Sequence, residues 1–320
     1  MRILQLYGVK PVRFLGMQKG YRNESHAFEL ADGERVNLIL YKSEPDILPR
    51  IRRANAVADF LHDKGLPVRY TLDPRIITLK NGERVKYGAL YAYLPGETIP
   101  WEAYTQTHIK ALGEMMGRMH GLLAGYPATP QLQGHSVASE YARIAARMQR
   151  YFATPAVAQA IQEKLHLHIA GARLAKLQTV LAGCENLPHQ QPLHMDFVRG
   201  NILFSREARI TGVLDFEKTA FGHPLFDIAR TVAFLLVDCK YKTEAQVRKY
   251  FLISGYNKRG GGTFKVTARA LPLLEALVDL FLLHDFYKFL RHNPYEFLNQ
   301  NEHFTRTVQQ LQKRGLVLQK

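Results

Sequence analysis

The chain has 320 residues, 47% of them hydrophobic and 22% charged, enough to bury a sizeable core in one large domain or two modest ones. Ordinary numbers of glycine (23) and proline (15) and only two cysteines exclude collagen-like, low-complexity and disulfide-stapled architectures. Its 43 Lys and Arg against 28 Asp and Glu leave a charge of +15, which favours anionic partners such as nucleotides, phosphorylated metabolites, nucleic acid or an acidic membrane surface.

The first hundred residues read as strands and turns around one helix. Val12–Leu15, His26–Leu30 and Val36–Tyr41 are short β-favouring runs, the last two separated by the turn Ala31-Asp32-Gly33-Glu34. Pro49 to Lys64 reads as a helix with Ile51, Ala54, Ala58 and Leu61 on one face, stopped by Gly65 and Pro67. Strands follow at Arg75–Leu79 and Tyr87–Tyr93, with Lys80-Asn81-Gly82-Glu83 as their turn. At Leu94-Pro95-Gly96-Glu97 the pattern changes to long helices: His108–Leu123, Ser139–Phe152, Val157–Ala182, Leu225–Val237, Thr243–Ser254, Leu271–His292 and Glu302–Arg314. A strand-rich interruption at 193–216 divides them.

That interruption carries the chemistry. Ile202–Phe204 and Ile210–Leu214 flank a polar turn at 206–209 and read as an antiparallel hairpin, which brings Asn201 and Asp215 to one edge with Asp196 in the loop leading in. An amide oxygen and two carboxylates at a strand edge suit magnesium, with one carboxylate left for a proton. His194-x-Asp196-x-x-x-x-Asn201 followed by Asp215-Phe216 is a phosphoryl-transfer pattern, in which the first Asp accepts the substrate hydroxyl proton while Asn and the second Asp hold metal.

His194-Met195-Asp196 with Asn201-Ile202-Leu203, and Val213-Leu214-Asp215-Phe216-Glu217 with Gly222, Pro224, Asp227 and Ala229, resemble the aminoglycoside phosphotransferase and choline kinase superfamily. Upstream, Gly20-Tyr21-Arg22-Asn23 resembles its nucleotide loop, Tyr93-Leu94-Pro95-Gly96 its hinge and Gly117-Arg118-Met119-His120 its first large-lobe helix. The resemblance implies an α+β, two-lobed protein-kinase-like fold. Residues 1–93 would form the small antiparallel-sheet nucleotide lobe with one helix, 94–97 the hinge, and 98–320 the larger, mainly helical catalytic and acceptor lobe. It implies ATP and magnesium as cofactors, Asp196 as base, Asn201 and Asp215 as metal ligands, and Asp227 as the carboxylate bracing the catalytic loop. Gly20 and Asn23 would contact nucleotide, and Tyr91 and Tyr93 would offer backbone groups to adenine. The expected activity is ATP-dependent phosphorylation of a hydroxyl on a small molecule; the alternative is a kinase-like binding or regulatory protein with impaired nucleotide turnover.

Two positions depart from the family pattern. Met195 stands where a small Gly is usual. Ile39 stands where the phosphate-binding Lys or Arg belongs, and the following helix offers Arg53 or Asn55 in place of the Glu partner. Lys42 alternates to the face opposite Ile39, so either a bulge turns it inward or Lys19 or Arg22, beside the Gly20 turn, supplies the charge; the loop pair is favoured.

Residues 98–320 carry 27 basic and 17 acidic groups. That balance opposes polycationic aminoglycosides and predicts a neutral or anionic acceptor, such as a sugar or amino alcohol. Glu275 and Asp279, four apart on Leu271–His292, are candidates for an acceptor amine or for ion pairs within the protein, with Asp285 a later turn along. No nucleic-acid motif accompanies the charge, so no nucleic-acid partner is expected. No membrane span is expected either, since Glu275, Asp279, Asp285 and Lys288 interrupt the most apolar stretch. A cytoplasmic setting follows from the cysteine usage.

Overall fold

A computed structural model describes residues 2–19, 23–127, 129, 132, 134–259 and 264–319. The chain separates into two compact units, one made of 1–98 with 201–219 and the other of 99–200 with 220–320.

The first unit is built on a five-stranded antiparallel sheet in the order β1-β2-β3-β5-β4, from β1 (Pro11–Lys19), β2 (Glu24–Leu30), β3 (Arg35–Lys42), β4 (Ile77–Asn81) and β5 (Arg84–Ala92). Alternation gives it two apolar faces. Val36, Leu38, Leu90 and Phe28 bury against Leu4 and Tyr7 of the short α1 (Arg2–Leu6) and its end. This helix has no signature in the sequence, because five residues are too few for a periodic stripe. Ile39, Tyr41, Ala89 and Tyr91 cover the other face and pack on Ile47 and Ile51 of α2 (Ile47–Asp63). The expected α2 face is buried as read. The β4–β5 turn is shorter than expected: pairing continues to Asn81 opposite Arg84, and Gly82, at φ 58°, takes the left-handed turn position.

The hairpin of β8 (Ile202–Phe204) and β9 (Ile210–Val213) pairs Ile202 with Val213 and belongs to this unit. Phe204 and Glu97 exchange two backbone hydrogen bonds, and Val68 bridges Val213 in parallel.

The second unit is mainly helical. It comprises α3 (Gln106–Leu123), α4 (Val137–Ala153), α5 (Pro155–Leu165), α6 (Gly171–Cys184), α7 (Leu225–Asp238), α8 (Glu244–Arg248), a π-helical stretch (Lys249–Tyr256), α9 (Asn257–Arg259), α10 (Leu271–His292), α11 (Tyr295–Leu298) and α12 (Glu302–Lys313). The single helix expected over 157–182 is divided. His166 adopts φ 56° and ends α5, Leu167–Ile169 forms β6 against β11 (Val317–Gln319), and α6 starts afresh. Likewise the helix expected over 243–254 loosens into π geometry after Arg248. A Cβ on Gly113 of α3 would strike the Phe251 carbonyl and lie 2.8 Å from the Tyr256 nitrogen, so a bare Cα is required where α3 crosses this stretch. Two short strands, β7 (Gln191–Leu193) and β10 (Ala220–Gly222), pair with each other and flank the loop 194–200.

Candidate active site

In the second unit, the loop after β7 is held by one buried carboxylate. Asp227, in the first turn of α7, accepts the backbone N–H groups of His194 at 2.7 Å and Met195 at 2.6 Å. Its Oδ2 is 3.2 Å from His120 Nε2, and His120 Nδ1 is 2.9 Å from the Tyr256 hydroxyl. Burial opposes ionisation of Asp227, but the hydrogen bonds and electrostatic attraction from His120 and His194 outweigh it and hold its pKa below the usual carboxylate value. The α7 N-terminus favours the same charge.

Met195, almost fully buried, has φ 59°. That backbone geometry is what the small glycine of the family pattern would accommodate without strain.

Asp196 donates its backbone N–H to His194 Nδ1 at 3.1 Å, so His194 positions the loop. The Asp196 carboxylate accepts from Arg230 Nη2 at 3.1 Å, while Arg230 Nη1 donates to the Tyr141 hydroxyl at 3.1 Å. The guanidinium lies over the rings of Phe234 and Phe281, 5.3 and 5.7 Å from their centroids. Burial opposes its charge, yet Tyr141, Asp196 and Asp285 raise its pKa above the ordinary value. Arg230 lies three residues after Asp227 and so shares its helix face, a signal available in the sequence.

In the first unit, Asn201 and Asp215 stand at the same end of the β8–β9 hairpin, where the Leu214 N–H donates to the Asn201 carbonyl at 2.8 Å. Asp215 adopts φ 60°. Glu217 accepts from the Asn23 side-chain amide and lies 3.8 Å from Arg50 Nε. Burial and the Asp215 charge push the Glu217 carboxyl up to about 7. The Asp215 carboxylate and the Asn201 amide, carried at one end of the hairpin, are hard oxygen donors of the kind that suits magnesium. Among the described residues no group of three His, Cys, Asp or Glu could enclose a metal, so phosphate oxygens and water would complete its shell.

Asp215 and Glu217 also line a pocket of about 270 Å³, part of it open to solvent, together with Tyr41, Asn55, Arg69 and Tyr91. The Tyr91 hydroxyl donates to Asn55 Oδ1 at 2.8 Å and meets the Tyr41 hydroxyl at 2.8 Å; burial raises both phenol pKa values. Tyr91 lies inside the sheet opposite Asn37, and Tyr93 follows it with the Arg35 guanidinium over its ring. Gly20 and Arg22 lie outside the described residues, and Lys19 is the last residue of β1, opposite Glu24.

Ile39 is buried, paired with Ser25 and Ala89. The β3 ladders run past it without a register shift, so the bulge that would turn Lys42 inward is absent; Lys42 is exposed, opposite Lys86. Arg53, one of the two replacements for the Glu partner, instead donates to the Thr219 carbonyl at 2.9 Å. The proposed acceptor carboxylates are engaged internally. Glu275 pairs with Arg248 and Arg314, Asp279 with Arg314, and Asp285 with Lys288 and His303. The ion-pair alternative holds for all three.

A family model described as "Phosphotransferase enzyme family" matches residues 16–248. Homoserine kinase of Pseudomonas aeruginosa is 27% identical over 223 residues, covering 68% of this chain and 63% of that protein; the match thus spans less than two thirds of the curated relatives' length. Among solved structures, the amicoumacin kinase hAmiN in complex with AMP-PNP, Ca2+ and Ami superposes with a TM-score of 0.75 at 14% identity, covering 98% of this chain and 93% of that one. A microcompartment-associated aminopropanol kinase gives 0.72 at 15% identity, covering 98% and 97%. At such identities the likeness establishes the fold, an α+β kinase-like architecture with an antiparallel-sheet unit and a mainly helical one. No described helix is long and apolar enough to cross a membrane.

Proposed function

Because the chain belongs to the phosphotransferase enzyme family, we propose that it is an ATP-dependent kinase transferring the γ-phosphoryl group to a hydroxyl of a small neutral or anionic metabolite. The observation that carries this reading is the bracing of the Asp196 loop by Asp227, which receives two consecutive backbone N–H groups. A buried ionised carboxylate spent on loop geometry makes sense where a side chain must be held for chemistry.

Asp196 orients the acceptor hydroxyl and takes its proton as the oxygen bonds to phosphorus and the bond to the ADP oxygen breaks. Asn201 and Asp215 would hold magnesium, which when bound shields phosphate charge. Arg230 fixes one Asp196 oxygen by a charge-assisted hydrogen bond. Its positive charge beside Asp196, with the basic balance of residues 98–320, supports a neutral or anionic acceptor over a polycation. The relatives named for homoserine, a net-neutral zwitterion, and for an aminopropanol, a small monocation, act on small hydroxyl compounds rather than on polycations.

The test is a screen of hydroxyl-bearing amino acids, amino alcohols and sugars for magnesium-dependent ATP turnover. Turnover with one of these, and none with kanamycin-like compounds, supports the proposal; efficient phosphorylation of an aminoglycoside would sink the acceptor class. Ile39 favours a second reading, a nucleotide-binding protein with impaired turnover. Magnesium-ATP binding by calorimetry with no turnover on any acceptor would select it.

A further inference from the structure

We infer that Arg69 supplies the positive charge toward the nucleotide phosphates that Ile39 cannot. The inference rests on the proposed kinase activity. A kinase needs a cation against the phosphates because negative charge moves toward the leaving group during transfer. On the face of the sheet that carries Ile39, β3 presents Arg35, Asn37, Ile39 and Tyr41; Ile39 and Tyr41 are uncharged and buried, and Arg35, four residues off, is engaged with Glu29 and the Tyr93 ring. Lys42 is on the other face. The charge must come from another element.

Among the described residues, three arginines stand near Asp215 and Glu217 in space or in sequence. Arg50 is held by Glu44 at 2.8 Å and lies against Glu217. Arg53 is held by the Thr219 carbonyl. Arg69, just beyond α2, is the one that lines the Asp215–Glu217 pocket. Its guanidinium stacks on Tyr91, 5.5 Å from the ring centroid, and among the described residues donates no hydrogen bond. Its backbone is fixed, because the Arg69 N–H donates to Val213 two residues before Asp215. An arginine whose five donors are unspent, backed by an aromatic ring and set beside the expected metal ligand, has the equipment to bind phosphate oxygens.

A purely structural role, stacking on Tyr91 and offsetting Glu217, predicts different behaviour, and calorimetry separates the two. Magnesium-ATP, magnesium-ADP and adenosine are titrated into wild type, Arg69→Gln, Arg69→Lys, Arg50→Gln and Lys42→Ala, with circular dichroism melts as the folding control. Gln keeps a planar stacking group and removes the charge; Lys keeps the charge. Losing a hydrogen bond to a charged group costs roughly 10- to 100-fold in affinity. Arg69→Gln should lose roughly that much for ATP and ADP and under about twofold for adenosine, which has no phosphate. Arg69→Lys should recover most of the loss, and Lys42→Ala should match wild type. Equal losses for ADP and adenosine in Arg69→Gln, or a larger phosphate-dependent loss in Arg50→Gln, would overturn the inference while leaving the kinase reading intact. A wild-type protein that binds no nucleotide at millimolar concentration would overturn the kinase reading, and this inference with it.

Discussion

The backbone N–H of Arg69 donates to the carbonyl oxygen of Val213 at 2.9 Å, and the N–H of Val213 donates to the Pro67 carbonyl at 2.8 Å. This two-way tie puts the segment that leaves α2 alongside the strand that runs into Asp215. A basic side chain and an acidic one, 146 positions apart in the chain, are thereby carried on one hydrogen-bonded piece of backbone.

Asp196 and Asp215 are expected to fail differently. Asp196→Asn should reduce turnover by about 10²–10⁴-fold, the usual worth of general-base assistance, with nucleotide affinity nearly unchanged. Asp215→Ala should weaken magnesium-nucleotide binding as well. Steady-state kinetics beside calorimetry make the comparison, and full activity in Asp196→Asn would remove its assignment as the base.

Asp227→Asn should unfold more easily at neutral pH, since buried N–H groups of His194 and Met195 and the His120 ring lose an ionised acceptor; the cost is about 1–3 kcal/mol. The folded-state pKa of Asp227 lies below its ordinary value of 3.8. Its contribution is therefore full above that value and is lost as pH falls through the folded pKa. Denaturant titrations of both proteins should show the stability gap narrowing below pH 3.8; a gap independent of pH would mean that the charge is immaterial.

Replacing Met195 separates strain from packing. Met195→Ala removes buried volume, at a cost of roughly 2–5 kcal/mol, and keeps a side chain at φ 59°. Met195→Gly removes the volume and also the left-handed penalty of about 1–2 kcal/mol. The glycine variant should melt above the alanine variant, the reverse of the order in an ordinary buried site.

His303 joins three helices. Its Nδ1 is 3.2 Å from Asp238 of α7 and its Nε2 is 3.6 Å from Asp285 of α10, while His303 itself is in α12. Burial works against its charge, but the two carboxylates prevail and raise its pKa from 6.5 to about 9. Its stabilisation is thus full below pH 6.5 and lost as pH rises through about 9. His303→Gln should be less stable than wild type at pH 6 and close to it at pH 10; a constant difference would argue for shape rather than charge.

The Asp196 loop, the hairpin and most helices are legible in the sequence because each rests on local signals. Ile51, Ala54, Ala58 and Leu61 repeat at helical spacing, and the polar turn at 206–209 sits between two apolar runs. The break inside 157–182 also has a signal, the alternation His166-Leu167-His168-Ile169, but the strand forms only because residues 317–319 pair with it. The long-range contacts carry no such mark. Nothing near Arg69 announces Tyr91 or Asp215, and the arginines that claim Glu275 and Asp279 come from residues 248 and 314. Periodicity reports which face is buried and is silent on which distant charge meets it.

The crossing of α3 with the π-helical stretch sets a tolerance for the whole Asp196 loop. Gly113 and His120 are seven residues apart, two turns along one face of α3 and about 10 Å in rise. At the first the two backbones touch with no space for a methyl group; at the second, His120 reaches both Tyr256 and Asp227. A larger residue at 113 or 255 would act as a wedge, prising α3 from Tyr256 and drawing His120 off the carboxylate that grips the loop. The alignment of the loop is therefore gauged by an atom-sized clearance two helical turns away.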